Sequence, residues 1–470
     1  MKRLNGKMII EFMDSDSNVI ETITEENIIT NAVNDIMGIN PLAVFYSAGT
    51  GQVKVDWHNQ FLPICPNLIG GILLFSKALE ADPDNIYPGS NNLPVAYASN
   101  DVNSTSNTAR GSLNLTESKA LENGYRFVWE FSPSQGNGTI AAVALTSSFG
   151  GANGFGSEVD VKSPFLHLKR ISIKSLPDEI GRALYDTVEI DFENQKLYAL
   201  SQGSSANAIV IKKYHYPIFE IGLSETLDDA SVTLISENVI NTSTFQFLGS
   251  RVFYGECFDG HDGYWYAFSN KSNTIGNSTM NWIRIKKDDL TFTEGTWTLS
   301  NVKIEACGKR RLDGSYAERS IQSWFRDGYL YCMGSNHTEV YKINFANPTD
   351  VKVIPLGFES EWRPLGAAGA SEMRFTQIQG IIYAYDFMIL ADDTIVKTVG
   401  DAHFPEAASP HFQYKEFLIG WGGNYSSRDR DINLLTPYLA SINNLSSPVV
   451  KNADKTMKIT YTLTEEEVLP

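Results

Sequence analysis

Asp262-Gly-Tyr-Trp-Tyr266-Ala-Phe and Asp327-Gly-Tyr-Leu-Tyr331-Cys-Met are two copies of one pattern, a tight turn followed by an alternating apolar run. Asn194-Gln-Lys-Leu-Tyr198-Ala-Leu and Gln379-Gly-Ile-Ile-Tyr383-Ala-Tyr repeat it twice more. A turn-forming pair before an aromatic-rich run is typical of a β-hairpin. Four copies in one chain predict an architecture built from repeated sheet units.

The repeat spacing predicts a β-propeller. The tyrosines at 198, 266, 331 and 383 lie 68, 65 and 52 residues apart, the differences between those positions. A second alternating strand follows each copy, at Ile209–Lys213, Trp282–Lys286, Val340–Asn344 and Thr394–Val399, and 414–421 resembles a degenerate fifth unit. Because radial packing hides the edges of repeated sheets, we expect about five blades. A pair of packed sheets is the alternative.

The two chain ends predict a second domain. Residues 457–464 alternate strictly between apolar and polar side chains, and residues 8–12, where Met8, Ile10 and Phe12 alternate with Ile9 and Glu11, are strand-like before the turn-forming segment 14–18. We expect the last strand to return to the N-terminal sheet. The chain is therefore predicted to be all-β, with a β-sandwich-like domain formed by residues 1–160 and completed by 430–470. The propeller, residues 163–430, is inserted in it.

One short N-terminal helix is also expected. Thr22 and Glu25 form a capping-box pattern, and apolar pairs recur every four residues as far as Met37. This is the period of a helix face, and the pattern ends near Gly38.

Composition excludes several functional classes. The chain has 470 residues and a formal net charge of −17, which disfavours nucleic acid and anionic membrane surfaces as partners. The four cysteines are scattered without the spacing of a disulfide framework or a zinc site, at Cys65, Cys257, Cys307 and Cys332. The N-terminus lacks a signal-peptide pattern, and Leu68–Phe75 is too short to span a bilayer. We expect synthesis in a cytoplasm and no membrane insertion.

Catalytic, metal and cofactor motifs are not found. The sequence has no His-Glu-x-x-His pair, phosphate loop, Gly-x-Ser-x-Gly elbow or catalytic-cysteine signature, and its seven histidines lie in separate segments. Asp259-Gly-His261-Asp262-Gly263 brings two carboxylates and an imidazole together, but a turn between strands explains it better. We expect no metal and no cofactor. A pair of carboxylates working as a glycosidase stays possible, because sequence alone cannot pair the 55 acids.

A glycan-binding site needs fewer precisely placed groups than a glycosidase does. Exposed aromatic rings that cover sugar faces and a few planar polar groups are enough. The loop candidates for such a site are Trp297, Tyr316, Arg319, Trp324, Trp362 and Arg363. Packing in the core is the competing interpretation for each of them.

Several segments resemble a module of tail-fibre and receptor-binding proteins from tailed phages of Gram-positive bacteria. They are Thr30-Asn-Ala-Val-Asn-Asp-Ile-Met37, Gly70-Gly-Ile-Leu-Leu-Phe75, Val128-Trp-Glu-Phe-Ser-Pro-Ser-Gln-Gly-Asn-Gly-Thr-Ile140, Thr436-Pro-Tyr-Leu-Ala-Ser-Ile-Asn-Asn-Leu445 and Lys455-Thr-Met-Lys-Ile-Thr-Tyr-Thr-Leu-Thr464. The resemblance covers roughly residues 1–160 and 430–470. It implies a virion location, other virion proteins as partners, and a homotrimer.

The resulting expectation is a non-enzymatic virion protein, a tail fibre, receptor-binding or baseplate component that recognises a host cell-surface glycan. A carbohydrate-active depolymerase on the same scaffold is one alternative. A purely structural head or collar fibre is the other. The chain lacks the long heptad or collagen-like stem that many such fibres use to trimerise, so a short spike, baseplate or head-attached role is an alternative to a free-standing fibre.

Overall fold

The computed structural model describes residues 2–31, 33, 69–85, 88, 92, 94–146, 167–175, 187–215, 233–247, 257–270, 278–304, 323–360, 375–378, 380–384, 386–397, 412–414, 417–420, 429–436 and 439–467. Nearly all of the secondary structure that these residues build is β-strand, and among them only Asn31 and Val33 are helical. The predicted all-β class is confirmed.

The N-terminal part of the chain supplies eight strands. They are β1 Lys2–Met13, β2 Val19–Ile29, β3 Gly71–Phe75, β4 Pro94–Ser99, β5 Ser112–Leu113, β6 Lys119–Leu121, β7 Gly124–Phe131 and β8 Gly138–Thr146. β1 and β2 form the predicted hairpin. Its turn is held by Asp14, whose Oδ1 accepts hydrogen bonds of 2.9 Å from the backbone N–H groups of Asp16 and Asn18.

The predicted N-terminal helix is wrong over residues 22–29. Residues 22–29 are the second half of β2, and Glu25 lies opposite Met8 of β1. The segment contains β-branched residues such as Ile23 and Thr24, which favour a strand, and β1 offers it a long antiparallel partner. Pairing in the sheet overrides the helical period of the sequence. Farther along the predicted helix, Asn31 and Val33 are helical, and residues 32 and 34–38 lie outside the described residues.

The middle of the chain forms four-stranded antiparallel sheets. After β9 (His167–Ser175), blade 1 is β10 Thr187–Asp191, β11 Lys196–Gln202, β12 Ala208–His215 and β13 Thr233–Asn241, and blade 2 is β14 Cys257–Asp259, β15 Tyr264–Asn270, β16 Ser278–Lys286 and β17 Phe292–Leu299. Blade 3 is β18 Ser323–Arg326, β19 Tyr329–Met333, β20 Glu339–Asn344 and β21 Val351–Pro355, and blade 4 is β22 Thr376–Ile378, β23 Ile381–Tyr383, β24 Phe387–Ile389 and β25 Ile395–Lys397. Each quoted repeat is the turn and second strand of one blade.

Four blades are therefore built from consecutive strands, whereas about five blades were expected. A further four-stranded sheet, called the closing sheet, is built from strands that are not all consecutive. This closing sheet contains β26 Phe412–Tyr414, β27 Phe417–Gly420 and β28 Asp429–Thr436, and it takes its fourth strand, β9, from before blade 1. The predicted strand at 394–399 is the fourth strand of blade 4, because the short β24 comes before it. The all-β propeller class is confirmed.

Both chain ends meet in one ten-stranded sheet, called the terminal sheet below. Its last strands are β29 Ser441–Lys451 and β30 Thr456–Glu467, and its order is β4-β3-β8-β29-β2-β1-β30-β7-β5, with β6 beside β7. β30 pairs with β1 from Thr456 opposite Met13 to Glu467 opposite Lys2. The expectation that the last strand returns to the N-terminal sheet is confirmed.

The terminal sheet is nearly closed like a barrel, so the predicted two-sheet sandwich is wrong. Its two edges approach each other where the backbone of Tyr97 on β4 exchanges hydrogen bonds with Ala109 and Gly111, just before β5. Curling the sheet lets the alternating residues of β1 and β30, among them Phe12 and Tyr461, fill one continuous core.

Successive blades pack face to face through apolar clusters. One cluster joins blades 1 and 2, a second joins blades 2 and 3, and a third joins blades 3 and 4. In the second cluster, the rings of Tyr266 and Phe325 stack with their centroids 4.3 Å apart. The first strands β10, β14 and β18 contact one another in order, so the first strands are the innermost ones.

Strand direction defines two ends of the propeller. The turn end carries the links between first and second strands and between third and fourth strands. The turns between first and second strands are short, and Gln195, His261, Asp327 and Gly380 adopt left-handed backbone there. The connection end carries the links from each blade to the next, such as residues 300–322 and 356–375.

Candidate functional site

Two of the six residues predicted to bind glycan, Trp297 and Trp324, lie in described strands, and the other four lie in links between blades. Tyr316 and Arg319 belong to the link between β17 and β18, and Trp362 and Arg363 belong to the link between β21 and β22. These four lie outside the described residues. The two tryptophans that are described have different surroundings.

Trp297 is a core residue, so the expectation that it lies on a loop is wrong. It sits near the end of β17 with 5% of its surface exposed. Its ring centroid is 5.5 Å from that of Phe268 and 5.5 Å from that of Phe345, inside the cluster between blades 2 and 3. The outer strand of blade 2 needs a large apolar side chain here to fill the space beside blade 3.

Trp324 is placed where a ligand can reach it. It is the second residue of β18, an innermost strand, and it is partly exposed. Its ring meets that of Phe258 on β14 edge to face, with centroids 5.6 Å apart, and its Nε1 donates a 2.9 Å hydrogen bond to Oε1 of Gln377 on β22. One side chain thus joins the innermost strands of three blades.

Gln377 is a site residue that sequence reasoning missed. It is partly exposed, and its amide is a planar polar group beside the Trp324 ring. β22 has only three residues, so no alternation marks its polar member as unusual. Only the packing of blade 3 against blade 4 brings the two side chains together.

The Asp259–Gly263 segment forms the turn between β14 and β15, as the plainer interpretation predicted. Asp259 Oδ1 accepts hydrogen bonds from the backbone N–H of His261 at 2.8 Å and from Lys287 Nζ at 2.7 Å. The His261 side chain is 78% exposed, with Nδ1 3.5 Å from Asp259 Oδ2. The Asp262 carboxylate has a different partner, since its Oδ2 accepts a 2.6 Å hydrogen bond from the hydroxyl of Tyr266.

Lys287 links this turn to blade 1. Its Nζ lies 2.9 Å from Oε2 of Glu189 on β10, and the same oxygen accepts a 2.7 Å hydrogen bond from Nε1 of Trp265. Burial alone would lower the pKa of Lys287, but hydrogen bonds to Asp259 and Glu189 outweigh it and raise the pKa. Because one ammonium group bridges both carboxylates, the cluster fastens two blades together.

Blade 4 is linked to blade 3 by a second charged cluster, centred on Asp393 in the turn after β24. Here an anion is surrounded by cations, whereas Lys287 is a cation between carboxylates. Its carboxylate lies 3.2 Å from Arg326, 2.9 Å from Lys342 and 3.0 Å from Lys352, and the Tyr331 hydroxyl donates to it at 2.8 Å. Burial alone would raise the pKa of Asp393, but hydrogen bonds from Lys342, Lys352 and Tyr331 lower it to about 2.

The described ranges contain neither a metal-binding cluster nor a membrane-spanning helix. Within them, no group of three or more His, Cys, Asp or Glu side chains is arranged to hold a metal ion. No helix in the same part of the chain has the length and apolar character needed to cross a membrane.

Comparisons with known proteins identify no family. No protein-family model matches the chain, and no curated protein matches it. Among solved structures, it aligns with Hsv2 of Kluyveromyces lactis at 11% identity and a TM-score of 0.21, covering 57% of this chain and 60% of that one, less than two thirds of its length. It also aligns with a chain of a nidogen/laminin complex at 12% identity and a TM-score of 0.23, covering 70% and 93%.

AztD of Citrobacter koseri is a third structure similar to this chain, at 8% identity, a TM-score of 0.24, and coverage of 86% of this chain and 97% of that one. At scores of this size, none of these similarities identifies an activity or a ligand.

Proposed function

We propose that this chain is a phage virion structural protein, a tail-fibre, receptor-binding or baseplate component, that is anchored through its terminal sheet and recognises a host cell-surface glycan at the connection end of its propeller. The observation that carries this proposal is the strand order. It joins the propeller to the terminal sheet at one end, while the candidate binding residues belong to the other.

The attachment of the propeller follows from the closing sheet. His167, the first residue of β9, lies opposite Thr436, the last residue of β28, so the chain enters and leaves the propeller at neighbouring positions. Both positions are at the turn end, because β28 is a third strand. Four residues separate Thr436 from Ser441 of β29, a link that spans at most about 17 Å. The terminal sheet is therefore held near the turn end.

The opposite end has the chemistry that a sugar needs. The partly exposed Trp324 ring offers an apolar face to the C–H groups of a pyranose, and the amide of Gln377 beside it can exchange hydrogen bonds with hydroxyl groups. The other four candidates, Tyr316, Arg319, Trp362 and Arg363, fall in the sequence within links that begin and end at this end of the propeller. Loops on a rigid scaffold commonly carry binding residues.

The virion location rests on the resemblance of the chain ends to phage tail modules, and so do the homotrimer and the other virion proteins as partners. A sedimentation mass of three times the 52.2 kDa chain would support the trimer, and a monomer mass would contradict it. The alternative function, a depolymerase on the same scaffold, requires the same end of the propeller to cleave the polymer that it binds.

The test is binding of the purified full chain to a panel of wall polysaccharides from Gram-positive bacteria, measured by calorimetry. We expect Trp324→Ala and Gln377→Ala each to weaken binding about tenfold or more. Trp265→Phe is the matched control, because it also removes an indole hydrogen bond but lies at the turn end. It should leave the affinity unchanged.

Three outcomes would overturn the proposal. One is no binding to any polysaccharide of the panel, which would favour the purely structural role. Another is an equal loss of affinity in the control and in the two connection-end variants. The third is release of reducing ends from the polysaccharide, which would make the chain a depolymerase.

A further inference from the structure

Lys451, near the end of β29, is a buried cation that lies among neutral oxygens. Its side chain points at the turn between β7 and β8, and the residue is 1% exposed. Nζ donates to the carbonyl oxygen of Ser132 at 2.9 Å, to that of Pro133 at 3.5 Å, and to Oδ1 of Asn137 at 3.0 Å. None of these three acceptors is a carboxylate.

The neutral surroundings are unfavourable for a charged amine. Burial lowers the pKa of Lys451 to about 8, and the charge of Asp454 offsets this only in part. A buried ammonium group is stabilised best by a carboxylate in direct contact. Replacing the Asn137 amide by a carboxylate would place a negative charge against Lys451, at the cost of the 2.9 Å hydrogen bond that Asn137 Nδ2 donates to the carbonyl oxygen of Pro133.

We propose that Asn137 is a modification site, at which the side-chain amide is deamidated with assistance from Lys451. The residue is exposed on the turn, and glycines flank it on both sides. The backbone N–H of Gly138 is the nucleophile for a five-membered succinimide ring, and water is the second reactant. The product is an aspartate at position 137 that forms an ion pair with Lys451.

The first step joins the backbone nitrogen of Gly138 to Cγ of Asn137. The bond from Cγ to Nδ2 breaks, and the leaving nitrogen takes the proton lost by Gly138 and departs as ammonia. Negative charge develops on Oδ1 as the nitrogen attacks. The ammonium group of Lys451, 3.0 Å from Oδ1, stabilises that charge as an oxyanion-hole donor does.

In the second step water adds to the Cγ carbonyl of the ring. The bond from Cγ to the Gly138 nitrogen breaks, the nitrogen regains a proton, and the carboxyl group formed at Cγ loses its proton to solvent. No oxidation or reduction takes place.

The surroundings of Gly138 distinguish this Asn-Gly pair from two others in the described residues. A Cβ placed on Gly138 would meet nothing within 4 Å, so there is open space for the ring. A Cβ on Gly6, after Asn5, would lie 2.7 Å from the Asn27 side chain. A Cβ on Gly124, after Asn123, would collide with the backbone of Leu463. We therefore expect position 137 to react before positions 5 and 123.

The experiment is peptide mapping of the purified full chain, kept at neutral pH and body temperature and sampled over weeks. We expect the mass gain of amide-to-acid conversion at position 137, ahead of positions 5 and 123 in the same digest. Lys451→Met should slow the conversion at position 137 about tenfold or more, and Lys451→Arg should preserve most of the rate. An unmodified position 137, or a rate independent of Lys451, would overturn the proposal.

A second measurement keeps the proposal testable if Lys451→Met does not fold. Asn137→Asp places the product carboxylate against Lys451 directly, so its Tm should exceed that of freshly prepared wild type. Asn137→Ala, which removes an acceptor from the same lysine, should have a lower Tm than wild type. An Asn137→Asp variant no more stable than wild type would contradict the predicted ion pair.

Discussion

The junction between blades 1 and 2 and the junction between blades 3 and 4 are both made by a charged residue in the turn after a third strand, but the charges are opposite. In the first, Lys287 in the turn after a third strand reaches back to Glu189 on an innermost strand. In the second, Asp393 in the corresponding turn reaches back to Arg326 at the end of an innermost strand. Both links run from the turn after a third strand to the first strand of the preceding blade, but they use different register positions and inverted charges.

The two junctions differ in burial. The side chains of Arg326 and Asp393 are 3% and 8% exposed, whereas those of Lys287 and Glu189 are 20% and 19% exposed. Removing one partner of a buried pair costs more than removing one that water can still reach, because the remaining charge is left without solvation. The junction between blades 3 and 4 should therefore be the more sensitive of the two.

The largest effect is expected from Asp393→Asn. The substitution leaves the buried Arg326 and two lysines without their shared carboxylate, and it should lower the stability of the propeller by about 3 kcal/mol. Calorimetry of the propeller transition would measure the loss. Lys352→Ala is the matched control, because Lys352 is 59% exposed and its contact with Asp393 is worth little. Equal effects of the two substitutions would contradict the role given to burial.

Lowering the pH should destabilise the junction between blades 3 and 4, and this is the second largest effect expected. The folded pKa of Asp393 is about 2, below the ordinary 3.8, so its contribution is fully present above pH 3.8 and is lost as pH falls toward 2. The difference corresponds to about 2 kcal/mol. Hydrogen exchange of β18 to β25, followed from pH 4 downward, should show loss of protection in wild type. Asn at position 393 should remove this pH dependence, and an unchanged profile would refute the assignment.

Lys287→Met should have the smallest effect and should lower the stability of the propeller by about 1 kcal/mol. The methionine keeps the apolar stem, and Trp265 still donates to Glu189. Hydrogen exchange confined to β10 to β17 would detect the loss. If Lys287→Met weakened the propeller as much as Asp393→Asn, the two junctions would not differ as their burial indicates.

Much of the fold was accessible from local patterns. The turn of each repeat requires residues that tolerate left-handed backbone, and Asp327-Gly328 shows this in its sequence. Strict alternation identified β30 and the apolar half of β1. The segment 22–29 could not be assigned in the same way, since its period fits a helix and only its partner β1 makes it a strand.

The candidate site was less accessible. Trp297 and Trp324 are both tryptophans near strand ends, and nothing local separates the buried one from the partly exposed one. Gln377 carries no signal of its own, and becomes a site residue only because blade 4 packs against blade 3.

Turn chemistry and alternation act between neighbours in the chain, so the hairpins, the repeat and the all-β class follow from the order of residues. Burial and charge pairing depend on which strands lie side by side after long-range closure. Tertiary structure alone therefore decided that the terminal sheet curls into a near barrel, that β9 completes the closing sheet, and that Lys451 meets Asn137. These contacts join residues hundreds of positions apart, and no local pattern in the sequence encodes them.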